Sequence, residues 1–170
     1  GGGVAVLDYD LDGWPDLYFT QGAHFTAGDS TSEPSDQLCR NLGSRGSLDV
    51  TTSAGVAETS FSAGVTVGDF NNDGFSDLYV ANIGVNRFLM NHGDGTFEEV
   101  TEHTRTGGSD WSTSCLLADV DGDSLPDLYV VNYLTGADLF SRVCPEKDGT
   151  LRSCSPRQFA GAQDRLYLNQ

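Results

Sequence analysis

Three stretches of the chain run a strand-like apolar segment into a cluster of aspartates and out again through Asp-Leu-Tyr. They are GVAVLDYDLDGWPDLYFTQG from residue 3, GVTVGDFNNDGFSDLYVANIG from residue 64 and CLLADVDGDSLPDLYVVNYLTG from residue 115. Their first aspartates, Asp8, Asp69 and Asp119, lie 61 and then 50 residues apart. A second shared unit follows each: DQLCRNLGSRGSLDVTTSAGV from residue 36, NRFLMNHGDGTFEEVTEHTRTGG from residue 86 and a short DRLYLNQ from residue 164. This repetition constrains the fold more than any other feature. A unit this short cannot bury an apolar face alone, so the copies must stack on one another to share a core.

Each copy reads as β. The flanks GVAV, GVTV, DLYFT, DLYVA and DLYVV are short, rich in valine and aromatics, and bounded by Gly or Asp. HGDG, between RFLMN and TFEEVT, is an Asp-Gly hairpin turn, and no helix-length window shows a 3.6-residue period. About four short strands in a repeat of about 50 residues are the pattern of a propeller blade. The expected fold is all-β, with β-propeller blades of about four antiparallel strands and about three partial blades in one repeat region over 1–170. The repeats are expected at about 1–48, 49–98 and 99–170. With the middle copy as the minimal blade, the first carries an 11-residue insertion, within the polar AHFTAGDSTSEPS. The third carries a 28-residue insertion, at about 134–162, which contains two cysteines.

The aspartates fall in nine-residue loops between the first two strands of each copy. Asp8, Asp10, Asp12 and Asp16 take positions 1, 3, 5 and 9, with Gly13 at position 6. The second loop supplies Asp69, Asn71, Asp73 and Asp77 with Gly74, and the third Asp119, Asp121, Asp123 and Asp127 with Ser124 in place of glycine. Alternate residues of a tight loop can turn their oxygens inward, and the backbone carbonyl at position 7 (Trp14, Phe75 or Leu125) can complete a shell. Hard oxygen ligands in this number suit Ca²⁺ better than Mg²⁺, so up to three Ca²⁺ ions are expected, one per loop. An EF-hand would need glutamate at position 12 and flanking helices; Phe19, Val80 and Val130 stand there, inside strand-like runs. The plainer alternative, polar turns without metal, is weakened by three copies at matched positions. Without a cation, carboxylates crowded this closely repel one another; three Ca²⁺ would reduce the net charge from −16 to −10.

That acidity makes nucleic acid an unexpected partner, because binding it requires basic patches. No apolar run reaches 18 residues, so no membrane insertion is expected. The chain opens on Gly1-Gly2-Gly3 and reads as a mature or excised segment. Four cysteines, Cys39, Cys115, Cys144 and Cys154, include no CxxC pair that would suggest zinc or thioredoxin-like chemistry. Cys144 and Cys154 flank a short polar segment and are the expected disulfide, worth roughly 3 kcal/mol on the chain-entropy account. A Cys39–Cys115 pair stays open, since four cysteines allow three connectivities. An oxidising compartment follows.

At GDFNNDGFSDLYVAN and NHGDGTFEEVT the sequence resembles the FG-GAP/VCBS repeat proteins, and within them the cartilage acidic protein 1-like (CRTAC/ASPIC-UnbV) group. The resemblance implies an integrin-α-like β-propeller, Ca²⁺ held by the loop aspartates and Asn71, and an extracellular, secreted or cell-surface setting. It implies adhesion or ligand binding and names no single partner. Partners expected on this reading are an extracellular protein or glycan, or further copies of the chain. No GxSxG, HExxH or P-loop is present, and His24, His92 and His103 have no nucleophile beside them, so no enzyme is expected. Two alternatives remain: a structural subunit of an extracellular filament or matrix, and the accessory or catalytic propeller of a carbohydrate-active enzyme. Tyr18, Tyr79 and Tyr129 recur at one position of each copy and are expected in blade packing, whereas Trp111 is the better surface contact.

Overall fold

The computed structural model describes residues 2–22 and 34–170. The first insertion, with His24 and most of its Ser/Thr-rich run, lies outside them. The fold is β throughout, apart from two 3₁₀ turns and the four-residue helical turn α1 (Thr101–Thr104). The first sheet contains β1 (Val4–Leu7), β2 (Asp16–Phe19), β3 (Gln37–Asn41) and β4 (Ser47–Asp49) as an antiparallel meander. The second repeats it with β5 (Phe61–Gly68), β6 (Asp77–Ile83), β7 (Arg87–Asn91) and β8 (Phe97–Glu99). The third, β9 (Ser112–Ala118) and β10 (Asp127–Asn132) with β15 (Arg165–Tyr167), has three strands among the described residues. Its insertion forms two small ribbons, β11 (Leu134–Thr135) with β14 (Ala160–Gly161) and β12 (Val143–Pro145) with β13 (Leu151–Ser153).

Strand alternation gives each sheet two apolar faces, and the register makes them equivalent from sheet to sheet. The rows Ala5–Tyr18–Leu38, Thr66–Tyr79–Phe88 and Leu116–Tyr129–Leu166 lie on one face. The rows Val6–Leu17–Cys39, Val67–Leu78–Leu89 and Leu117–Leu128–Tyr167 lie on the other. Ala5, Tyr18 and Leu38 pack against Leu78, Val80 and Leu89 in one core; Tyr79 and Phe88 pack against Leu128, Val130 and Tyr167 in the next. Tyr18 and Tyr79 therefore fill inter-sheet cores as expected, while Tyr129 is exposed on the third sheet. The first strands of the sheets lie side by side, close enough that glycine is required: a Cβ on Gly64 would stand 2.9 Å from the Thr113 carbonyl oxygen.

A polar staple recurs where the second strand turns into the third. Asp36, Asn86 and Asp164, each just before its third strand, accept the N–H of Gln21 (2.6 Å), Asn82 (2.7 Å) and Asn132 (2.9 Å). Tyr18 and Tyr129 donate their hydroxyls to Asp36 (3.0 Å) and Asp164 (2.8 Å), whereas Tyr79 donates to the Thr106 carbonyl (2.6 Å). Burial pushes the Asp36 carboxyl up to about 6 against the N–H of Gln21 and the Tyr18 hydroxyl, which favour its charge. A carboxyl whose pKa is higher in the folded state stabilises below its unfolded value and loses that contribution as pH rises through the folded one. Asp36→Asn, the residue blade two already uses as Asn86, should therefore be neutral below pH ~4 and stabilising by on the order of 2 kcal/mol above pH ~6. Urea unfolding of parent and variant across that range checks it; a constant difference would show that Asp36 does not titrate there.

Candidate metal centre

The three acidic loops link the first strand of each sheet to the second, and backbone N–H groups set their shape. At position 1, Asp8 accepts from Asp12 (3.0 Å) and Gly13 (2.9 Å), and Asp69 from Asp73 (3.0 Å) and Gly74 (2.9 Å). Asp119 accepts from Gly122 (2.6 Å) and Ser124 (3.0 Å). At position 5, Asp12, Asp73 and Asp123 each accept the N–H two residues on, from Trp14, Phe75 and Leu125 (3.0, 2.8 and 2.8 Å). Two residues per loop are left-handed: Leu11, Asn72 and Gly122 at position 4, and Gly13, Gly74 and Ser124 at position 6. The third loop lacks the position-6 glycine, with Ser124 at φ +73°, yet carries one at position 4, where Leu11 stands at +54° and Asn72 at +57°. Each loop thus spends its single glycine at one of two left-handed sites.

Position 9 anchors the loop to its sheet. Asp16, Asp77 and Asp127 open the second strand, and all three are buried. One carboxylate oxygen accepts the position-2 N–H, from Tyr9 (3.2 Å), Phe70 (2.9 Å) or Val120 (2.9 Å). The other accepts the N–H of an asparagine after or at the end of the third strand, Asn41 (2.7 Å), Asn91 (2.8 Å) or Asn169 (2.9 Å). Burial raises the Asp16 carboxyl and pushes Asp77 up to about 6. The N–H groups of Val120 and Asn169 hold Asp127 below the ordinary carboxylate range.

Carboxylates of positions 1, 3 and 9 converge. Oxygens of Asp8, Asp10 and Asp16 lie within 4.8 Å of one another, as do those of Asp119, Asp121 and Asp127. The second loop has the same hydrogen-bond scheme at Asp69 and Asp77, but Asn71 holds position 3 and donates its amide to Asp73 at 2.8 Å. Asp12 and Asp123 fall outside the two convergent groups, and each accepts the N–H two residues on through its Oδ1. In the first loop Asp10 Oδ1 is buried with no partner among the described residues. An unpartnered carboxylate oxygen beside two others fits a hard cation. The side chains at position 7 lie over glycines: a Cβ on Gly43 would be 3.2 Å from Trp14, and one on Gly93 would collide with Phe75.

The asparagines hold the loops in place, and the loop pattern alone does not reveal them. Asn91 Nδ2 donates to Ser76 O of its own loop (3.2 Å) and to Tyr9 O of the preceding loop (2.8 Å). Asn169 Nδ2 does the same with Pro126 O (3.4 Å) and Phe70 O (2.8 Å). Asn41 Nδ2 donates to Pro15 O (3.0 Å). Their signal in the sequence is the asparagine shared by LCRN, FLMN and LYLN. Cys144 and Cys154 form the expected disulfide and join the ends of the β12–β13 ribbon. Cys39 and Cys115 are not joined to each other: both are free thiols, one on the first sheet and one on the third, where Cys115 donates to the Tyr79 carbonyl (3.5 Å). Trp111 is half-buried, with Tyr133 and Phe140 each 5.4 Å from it between ring centroids.

Stacked antiparallel sheets that each turn an acidic nine-residue loop toward the same edge define a propeller-type repeat protein. The FG-GAP-like repeat profile matches residues 8–80 and again 69–130, and the chain belongs to that family. No curated protein matches the chain.

Asn91→Ala would leave the Tyr9 carbonyl and the Gly93 N–H, which Asn91 Oδ1 accepts at 2.9 Å, without their partners. It should destabilise the chain by roughly 3 kcal/mol in urea unfolding. Asn41→Ala, at the half-buried first copy, should cost about 1 kcal/mol. Equal costs would mean that the contact between neighbouring loops contributes nothing.

Proposed function

We propose that this chain is part of an extracellular, calcium-stabilised β-propeller that acts as an adhesion or ligand-binding module and has no catalytic role. One Ca²⁺ sits in each loop, in a structural capacity. The ligands are Asp8, Asp10, Asp12 and Asp16 with the Trp14 carbonyl; Asp69, Asn71, Asp73 and Asp77 with that of Phe75; and Asp119, Asp121, Asp123 and Asp127 with that of Leu125. The observation that carries the reading is the convergence of Asp8, Asp10 and Asp16, together with the buried, unpartnered Oδ1 of Asp10. An oxidising, extracellular setting agrees with the Cys144–Cys154 bond, and the cartilage acidic protein 1-like group is the branch of the family we favour. For ligand contact we favour the stapled insertion, where Trp111, Tyr133, Leu134, Arg142 and Phe159 border a cleft of about 380 Å³. Its occupant on this reading is an extracellular protein or a glycan.

A second reading, a subunit of an extracellular assembly, is favoured by the open rows. Val6 and Leu17 on the first sheet and Leu116, Tyr129 and Leu166 on the third are exposed, although their counterparts elsewhere are core. On that reading, sedimentation should show mass growing with concentration; a monomer throughout removes it.

Calorimetry in Ca²⁺ and in EDTA tests the metal. An ion at a hundred times its dissociation constant adds about 2.7 kcal/mol per site, which is several degrees for a chain of this size. Asp73→Ala should forfeit most of one such increment in Ca²⁺ and lose much less in EDTA. The same loss in both would reduce Asp73 to a cap for the Phe75 N–H, and the calcium assignment would fall.

A further inference from the structure

The three loops handle their crowded charge differently. In the first two loops, positions 3 and 5 set two side chains next to each other. In the second loop, neutral Asn71 at position 3 donates to Asp73 Oδ2 (2.8 Å). In the first, position 3 is Asp10, and Arg40 of β3 spans the pair, its Nη2 2.6 Å from Asp10 Oδ2 and 3.0 Å from Asp12 Oδ2. Among the described residues, no ion pair reaches Asp121 or Asp123 of the third loop. Arg40 is peculiar to the first copy: it stands just before the latch asparagine, where the second copy has Met90 and the third Leu168. Its Nε is buried without a partner, as is Asp10 Oδ1.

We infer that Arg40 is a tethered counter-ion of the first loop, one that holds the loop closed without metal and weakens its grip on a divalent cation. The inference rests on reading the loops as calcium sites. Four aspartates in so small a loop repel one another, and any cation among them relieves the repulsion. A calcium ion does this in proportion to its concentration; a guanidinium on the neighbouring strand does it at all times. It engages Asp10 and Asp12 through their Oδ2 atoms and leaves Asp10 Oδ1 buried without a partner. When a divalent ion enters, it meets a loop already partly neutralised and a like charge a few ångströms away, so it gains less than four free aspartates would offer. The first loop then has the net charge of the second, three negative, reached by adding a cation where the second replaces a carboxylate by an amide. The third keeps all four aspartates without such relief and depends most on metal.

The side chain at position 7 makes the first loop separately observable. Trp14 is the one indole in any of the three loops, so Tb³⁺ luminescence excited through tryptophan reports this site. Arg40→Met installs the residue that the second sheet already carries there, and Arg40→Lys keeps the charge. The methionine variant should bind Tb³⁺ roughly tenfold more tightly at the indole-sensitised site, the scale of one partly screened charge at this distance. In EDTA it should melt several degrees below the parent, with the gap closing in Ca²⁺. The lysine variant should stay near the parent in both measurements. Unchanged or weaker Tb³⁺ binding in Arg40→Met overturns the inference, as does an equal fall in Tm with and without Ca²⁺, the mark of lost packing alone. If neither parent nor variant takes up Tb³⁺ or Ca²⁺, the calcium reading itself fails and the inference goes with it.

Discussion

A carboxylate taken out of water at the start of each second strand must find donors for both oxygens, because a buried charge without partners costs several kcal/mol. Asp16, Asp77 and Asp127 find one donor two residues into their own loop and the other on the third strand's asparagine. The first demand forces the chain to double back within seven residues, which turns the preceding aspartates toward one another. The second fixes how far the third strand slides along the second. Loop shape and hairpin register are thus two consequences of one buried charge, and the crowding of carboxylates that invites a cation is a by-product of satisfying it.

The copies reach the same loop by different chemical routes. Left-handed backbone is needed at positions 4 and 6, where a side chain costs about 1–2 kcal/mol and glycine does not. The first two loops place glycine at position 6 and tolerate Leu11 or Asn72 at position 4; the third reverses the choice with Gly122 and Ser124. Charge is handled with the same latitude, by Arg40 in one loop and Asn71 in another. What is held constant is the hydrogen-bond scheme of the backbone, and the side chains that complete it vary.

Much of this was legible in the sequence because it is local. Strand alternation, the Asp-Gly turn, the spacing of the loop aspartates and the Cys144–Cys154 pair all act over ten residues or fewer, and each appears where the pattern puts it. One expectation needed adjustment for a local reason as well. Ser124 was read as a departure from the loop, but Gly122 shows that the requirement is shared between two positions. Asp12 and Asp123, expected beside the other loop aspartates as ligands, each also accept a backbone N–H through one oxygen. The asparagine latches were not legible as such: each is a single polar residue at a strand end, and the carbonyls that Asn91 and Asn169 reach in the preceding loop lie 82 and 99 residues away. Arg40 was hidden for the same reason, since nothing near it in the chain marks it as the neighbour of Asp10 and Asp12. The Cys39–Cys115 pairing failed because the two residues belong to sheets that the second sheet keeps apart.

The two latches that reach another loop point the same way along the chain. Asn91 closes the loop of the sheet before it, and Asn169 closes the loop of the sheet before that residue's own. A chain made from its amino end therefore cannot finish the first or the second loop when that loop is synthesised. The first waits until the third strand of the second sheet has emerged, and the second waits for the third sheet in turn. Proteins tend to fold domain by domain as they leave the ribosome, but for these two loops completion trails synthesis by one sheet.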